Sequence, residues 1–171
     1  NKLFGEYGHT VGQLLITKSD VENDERRENL INTFNKLFEF GAIPVINEND
    51  SVAVEEIVYG DNDSLSAIVA KLVNADALII LSDIDGLYDA NPNENEDAKL
   101  IPVVTEIDED LYKIAGGKGS SLGTGGMVTK LHAAEITMGA GIDTIVMNGE
   151  NPTEIYKALD GKQVGTFFKG K

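Results

Sequence analysis

The chain has 171 residues, a formal net charge of −15 and no cysteine. Its length is enough to bury a sizeable core, and so acidic a surface argues against a nucleic-acid or anionic-membrane partner, since both present phosphate groups. The lack of cysteine excludes disulfides, thiolate metal sites and thiol catalysis. The sequence shows neither an apolar run as long as a membrane span nor a signal peptide, so we expect a cytoplasmic protein.

Short apolar runs alternate with stretches of helical spacing along the chain. Strands are predicted at residues 12–17, 44–46, 77–81, 143–147 and 164–168, and the apolar run at 12–17 is typical of a buried parallel strand. Apolar residues recur at helical spacing in residues 28–38, 65–73, 108–115, 127–138 and 152–159. Between these elements we predict a charged loop at 20–27, a hairpin or bent extension at 51–60 and a long excursion with short strands at 84–107.

Alternating strands and helices of this kind predict an α/β protein. We expect a three-layer αβα sandwich with a mainly parallel central sheet, formed by one domain over residues 1–171. The chain starts without an initiator Met, on residues that read as the tail of a helix. We therefore expect an upstream portion of the domain to be missing from this sequence.

A glycine-rich stretch from Gly116 to Lys130 runs directly into a helical pattern. It contains six glycines and four hydroxyl residues. The N-terminus of a helix presents unpaired N–H groups and the positive end of a dipole, which predicts an anion site, with phosphate as its commonest occupant. The Lys130 side chain leans back towards that end and could add a positive charge. The stretch has neither the Walker nor the dinucleotide signature, and a solvated surface loop is the alternative.

Polar clusters lie where ligands bind in open parallel sheets, beyond the carboxyl ends of the strands. They are Asn47 to Asp50, Gly60 to Ser64, Ser82-Asp83, Asn148-Gly149 and the glycine-rich stretch. Simpler roles remain open for some members, because Asn62, Asp63 or Ser64 could cap a helix and Asp83 or Asp85 could be a turn residue. A phosphate cradle combined with Lys, Asp and Asn side chains favours phosphoryl transfer, which needs mainly charge neutralisation and alignment.

Four segments together resemble the amino acid kinase family. They are Asn47 to Asp50, Gly60 to Asp63, Asp85 to Pro92 and Gly119 to Lys130. The last two are similar across much of that family. The two Asn/Asp clusters, at this spacing, are similar to the members that phosphorylate glutamate in the first step towards proline.

The resemblance implies a kinase that uses ATP with Mg²⁺ and converts L-glutamate to L-glutamyl 5-phosphate. It implies that Asp50, Asn62 and Asn47 bind glutamate, that Asp63 positions the catalytic lysines and that Lys130 neutralises charge on the transferred phosphoryl group. The implied nucleotide contacts are Ser82, Asp83, Thr124, Gly125, Gly126, Met127, Val128, Thr129 and Lys130. Proline as a feedback inhibitor and a homo-oligomer, a dimer or tetramer, are implied as well.

The sequence departs from the family at its start. Relatives open with a strand and a glycine-containing phosphate loop that carries a second catalytic lysine, followed by a second loop that touches glutamate. Neither is present here, so we expect little or no kinase activity from the 171 residues alone. Many relatives also continue into a PUA domain beyond the position of Phe168, and we expect a kinase without that domain. The alternatives are a family kinase acting on aspartate, acetylglutamate or UMP, and a non-catalytic domain that senses a nucleotide or an amino acid.

Overall fold

A computed structural model of the chain describes residues 2–49, 61–92, 94–116 and 126–171. Its helices are α1 (Lys2–Gly5), α2 (Lys18–Glu22), α3 (Asp24–Glu39), α4 (Asn62–Leu72), α5 (Glu109–Ile114), α6 (Met127–Gly139) and α7 (Glu154–Leu159). Its strands are β1 (Val11–Ile16), β2 (Ile43–Glu48), β3 (Ala77–Ser82), β4 (Val103–Val104), β5 (Asp143–Asn148) and β6 (Thr166–Phe168). The hairpin predicted at 51–60 lies outside the described residues.

Residues Asn1–Leu65 form one compact unit, here called the N-terminal unit. Strands β1 and β2 pair in parallel, from Val11 opposite Ile43 to Ile16 opposite Glu48. Helix α3 packs close to this pair, since a Cβ on Gly12 would lie 2.8 Å from the Leu37 side chain. The prediction of two parallel strands separated by a helix is confirmed here.

The predicted loop at residues 20–27 is wrong, because α2 and the first turn of α3 occupy it. Local capping explains the difference. The backbone N–H and the hydroxyl of Thr17 donate to Asp20 Oδ2 at 2.9 and 2.6 Å, and the side chain of Asn23 accepts from the Arg26 N–H at 3.0 Å. Charged residues that suggested a solvated loop are those that favour helix starts, where capping oxygens and acidic side chains meet unpaired N–H groups.

Residues Ser66–Lys171 form the second compact unit, the C-terminal unit. Its sheet has the strand order β3-β5-β6-β4, in which β3–β5 and β4–β6 are parallel and β5–β6 is antiparallel. Gly165 permits the antiparallel pair to approach: its φ is +63°, and a Cβ there would lie 2.1 Å from the carbonyl oxygen of Val146. The core beside this sheet includes Leu87, Leu131 and Phe168, each no more than 1% exposed.

The buried hydroxyl of Thr166 holds the excursion between β3 and β4 against this sheet through hydrogen bonds. Thr166 Oγ1 accepts from the Leu87 N–H at 2.9 Å and lies 2.7 Å from the Ile101 carbonyl oxygen. Tyr88 and Leu100 form an antiparallel bridge, which confirms the short strand pairing predicted for residues 84–107. The excursion is therefore ordered where it leaves β3, next to the predicted site.

The α/β class and the predominance of parallel pairing are confirmed, although the described strands form two sheets rather than one. Among the described residues, no helix is both long enough and apolar enough to cross a bilayer.

Candidate active site

Helix α6 starts as the sequence predicts, with a basic side chain folded back over its first turn. Gly126 is its N-cap residue, and the carbonyl of that residue accepts from Thr129 Oγ1 at 3.0 Å. Lys130 Nζ lies 3.4 Å from the same oxygen, and Lys130 as a whole is 8% exposed. The side chain therefore brings its ammonium group to the helix N-terminus, where the dipole also favours an anion.

The chain direction places this helix start at the carboxyl edge of β3 and β5. Helix α6 has 13 residues and enters the six-residue strand β5 through a three-residue turn. Both elements are about 20 Å long, because a helix rises about 1.5 Å per residue and a strand about 3.3 Å. After the reversal, the N-terminus of α6 lies level with the end of β5. This is the edge at which parallel sheets bind ligands.

A network of hydrogen bonds joins the ends of β3 and β5 at that edge. Ser82 and Asn148 are register partners in the last rung of the ladder. The Gly149 N–H donates to the Ser82 carbonyl at 2.7 Å, and Asn148 Nδ2 donates to Asp85 Oδ1 at 2.8 Å. Ser82 Oγ donates to Asp83 Oδ1 at 3.0 Å, and the Asp83 side chain is exposed. Ser82 and Asp83 are thus held in a fixed loop with an outward carboxylate.

Tyr88 closes the network from the excursion. Its hydroxyl donates to Asp85 Oδ2 at 3.1 Å. Burial raises the pKa of the Tyr88 phenol, and the hydrogen bond to the Asp85 carboxylate raises it further. The phenol therefore keeps its proton near neutral pH, and Asp85 accepts from both Tyr88 and Asn148. Asp85 is not a simple turn residue, because both of its oxygens bond to other parts of the unit.

At the start of α4, the residue that caps the helix is not the residue predicted to bind glutamate. Asp61 is the capping residue: its Oδ1 accepts from the Ser64 N–H at 2.6 Å, and its Oδ2 accepts from Ser64 Oγ at 2.9 Å. The cap is therefore Asp61, a residue outside the three that the sequence offered as caps. Asn62 is exposed and Asp63 half-buried in the first turn.

The end of β2 carries Asn47 opposite Leu15 of β1. Asn47 is exposed, and the Asn49 N–H donates to the Ile16 carbonyl at 3.0 Å, which extends the pairing one residue beyond the strand. Asn47, Asn62 and Asp63 all belong to the N-terminal unit, whereas Ser82, Asp83 and Gly126–Lys130 belong to the C-terminal unit. Asp50, Thr124 and Gly125, also predicted as site residues, lie outside the described residues.

Two features of the site were not predicted from the sequence. The first is the cap at Asp61, which could have been found from an acidic residue three positions before Ser64 at a helix start. The second is the bond between Asp85 and Asn148, which are 63 positions apart. Only the polarity of both loops signalled that second feature.

The chain matches the amino acid kinase family over residues 1–148. The chain belongs to this family. The amino acid kinase fold is also found in its structural neighbours: isopentenyl phosphate kinase from T. acidophilum superposes with a TM-score of 0.65 at 20% identity over 98% of this chain and 63% of the neighbour. UMP kinase from Bacillus anthracis superposes with a TM-score of 0.64 at 15% identity, covering 99% and 62%.

Curated amino acid kinase relatives are closer in sequence. The chain is 53% identical to a glutamate 5-kinase of Clostridium perfringens over 175 aligned residues, covering the whole of this chain and 65% of the relative. A glutamate 5-kinase of Listeria innocua is also 53% identical and is covered over 63% of its length. The chain therefore spans just under two thirds of the length of these relatives.

Proposed function

We propose that the full-length protein carrying this chain is an ATP-dependent kinase that phosphorylates the side-chain carboxylate of L-glutamate, giving L-glutamyl 5-phosphate for proline synthesis in the cytoplasm. The observation that carries the proposal is the start of α6, where the Lys130 ammonium group lies at a helix N-terminus level with Ser82 and Asp83. The 53% identity to glutamate 5-kinases supports glutamate as the acceptor.

In this reaction a glutamate carboxylate oxygen bonds to the γ-phosphorus of ATP, and the bond from that phosphorus to the bridging oxygen breaks, releasing ADP. The acceptor is already an anion at neutral pH, so no general base is needed. Lys130 and the N–H groups of the first turn of α6 neutralise the charge on the phosphoryl oxygens. Ser82, Asp83 and residues 124–129 hold the nucleotide.

Asn47, Asp50 and Asn62 bind glutamate in this proposal, with the Asp50 carboxylate facing the substrate ammonium group. Asp63 positions the lysines. Mg²⁺ is part of the proposal because this ion is usually held by substrate phosphates with one or two carboxylates. When bound through the ATP phosphates, the ion supplies further charge neutralisation. We also propose that the protein assembles as a homo-oligomer and is inhibited by proline.

The test is acyl phosphate formation by the full-length protein, trapped with hydroxylamine. We expect trapped product with ATP and glutamate, and no ADP release when aspartate, acetylglutamate or UMP replaces glutamate. Replacing Lys130 by Met keeps much of the buried stem but removes the charge, and we expect kcat to fall by about 10²- to 10³-fold. Lys162→Met, at an exposed lysine, is the matched control and should leave kcat unchanged.

Two results would contradict the proposed activity, and a third would contradict the role of Lys130. Turnover with another acceptor in place of glutamate would leave a kinase of the same family with a different substrate. Binding of Mg-ATP without turnover of any of these acceptors would favour a sensing domain. Full activity in Lys130→Met would remove the role assigned to that residue.

A further inference from the structure

The loop that follows β3 is held in place from β5, a strand that the proposed chemistry does not use. Two consecutive residues after β5 make this connection, through a side chain at 148 and a backbone N–H at 149. Their targets, the Asp85 carboxylate and the Ser82 carbonyl, flank Asp83 on both sides. The segment predicted to contact the nucleotide is therefore fixed at both ends by the same neighbour.

The orientation of the Asn148 amide is set by its surroundings. Its Oδ1 accepts from the Glu150 N–H at 2.8 Å, so its Nδ2 is the atom that faces Asp85. A carboxylate can only accept and an amide nitrogen can only donate, so this arrangement satisfies both groups. On the other side, Asp85 Oδ2 accepts from Tyr88. The pair thus joins three segments: the β3 loop, the β5 loop and the excursion.

Gly149 allows the loops to come this close. A Cβ at position 149 would lie 3.0 Å from the Leu81 Cβ and 3.5 Å from the Ser82 carbonyl oxygen. The glycine backbone therefore approaches the end of β3 closely enough for its N–H to reach Ser82. Both residues suit this junction: the Asn148 side chain bonds to Asp85, and Gly149 has no side chain that would crowd Leu81.

We propose that Asn148 is a positioning residue for nucleotide binding, acting through Asp85 to hold Ser82 and Asp83 in the conformation that receives ATP. The proposal rests on the function proposed above, in which Ser82 and Asp83 contact the nucleotide. It assigns Asn148 no contact with the reacting atoms. Its loss therefore raises the KM for ATP and leaves the KM for glutamate unchanged.

The decisive experiment exchanges the side chains of Asp85 and Asn148 in the full-length protein. Asn148→Asp sets two carboxylates against each other, and we expect the KM for ATP to rise by about five- to tenfold, as for loss of one charge-assisted hydrogen bond. The double variant Asp85→Asn with Asn148→Asp restores a donor facing an acceptor. In the double variant, the new amide oxygen at position 85 can still accept from the Tyr88 hydroxyl. The new carboxylate at position 148 can still accept from the backbone N–H of Glu150. We expect the double variant to recover the KM for ATP.

Asp143→Ala is the matched control at the opposite end of β5. It removes a hydrogen bond of the same length, from the Gly170 N–H to Asp143 Oδ1 at 2.8 Å. It should lower Tm without changing the KM for ATP. Mg-ATP affinity measured by calorimetry gives a second readout that needs no acceptor.

The outcomes separate the two proposals. If Asn148→Asp lowers Tm as the control does and leaves ATP affinity unchanged, or if the exchange fails to restore that affinity, the positioning role is overturned. If the wild-type protein turns over a different acceptor, the function proposed above fails while the ATP measurements still decide the role of Asn148. If the wild-type protein binds no Mg-ATP, both proposals are overturned.

Discussion

At the scale of single residues, the first turn of α4 shows how neighbouring polar side chains divide their roles. Asp61 turns both carboxylate oxygens towards Ser64, while the adjacent Asn62 is exposed. The helix start therefore does not need the Asn62 side chain for its own stability. This leaves the amide available for the glutamate contact that we propose.

The two positions can be separated by alanine substitution. Asp61→Ala removes the cap, and we expect the free energy of unfolding to fall by about 1 kcal/mol. Asn62→Ala should change that free energy by less than about 0.5 kcal/mol, because the side chain is exposed, yet raise the KM for glutamate. Urea titration and steady-state kinetics of the full-length protein measure both quantities. If Asn62→Ala destabilises the protein as much as Asp61→Ala, the side chain is structural.

At the scale of elements, the described flanks of the glycine-rich stretch are held together. Helix α5 has six residues, too few to be stable alone, and Asp108 caps it by accepting from the Leu111 N–H at 2.8 Å. The Tyr112 hydroxyl then donates to Glu135 Oε2 of α6 at 3.0 Å. This bond ties the element before the stretch to the helix after it.

The same bond predicts a dependence of stability on alkaline pH. Burial, and then the bond to Glu135, raise the pKa of Tyr112 from 10 to about 12. Since the folded pKa lies above the unfolded one, the stabilisation is fully present below pH 10 and is lost as the pH rises towards 12. The difference in unfolding free energy between the wild type and Tyr112→Phe should therefore shrink over that window.

Urea titrations of both proteins at pH 9 and pH 12 measure this change, and titrations common to both cancel in the difference. Tyr156→Phe is the control, because Tyr156 is 72% exposed. A difference that is constant from pH 9 to 12 would mean that Tyr112 ionises equally easily in the folded and unfolded chains.

At the scale of the whole molecule, the sheets of the two units differ in their number of described strands and in how well those strands are buried. In the N-terminal unit the only described strands are β1 and β2, and one face of the pair leaves Leu15, Ile43 and Val45 at 39–47% exposure. Parallel strands are ordinarily buried on both faces, and a two-stranded sheet is marginal by itself. In the C-terminal unit, β5 lies between two neighbouring strands and contains the fully buried Val146.

We therefore expect unequal hydrogen exchange in the 171-residue chain. Backbone amides of β1 and β2 should exchange faster than those of β3 and β5 by more than about tenfold, because local opening of the smaller sheet exposes less new apolar surface. Exchange followed by mass spectrometry of peptides from each strand measures the difference. Equal protection in both sheets would mean that the chain opens as one cooperative unit.

Much of the fold was predictable because its signals are local. The apolar runs at 77–81 and 143–147 became β3 and β5, and the glycine-rich stretch leads into α6 with Lys130 folded back, as expected. The prediction of a loop at residues 20–27 failed because charge alone does not distinguish a solvated loop from a capped helix start. For the site, the sequence also indicated that polar residues follow the strands.

The sequence by itself determined most of the strands and helices, α2 and the first turn of α3 excepted, because burial of an apolar face depends on the spacing of residues within one turn or one strand. Only the tertiary structure decided which polar side chains meet: it made Asp61 a cap of α4, and it joined Asp85 to Asn148. Such choices depend on the register between β3 and β5 and on where each side chain points. Both are properties of segments far apart in the chain, which no local pattern records.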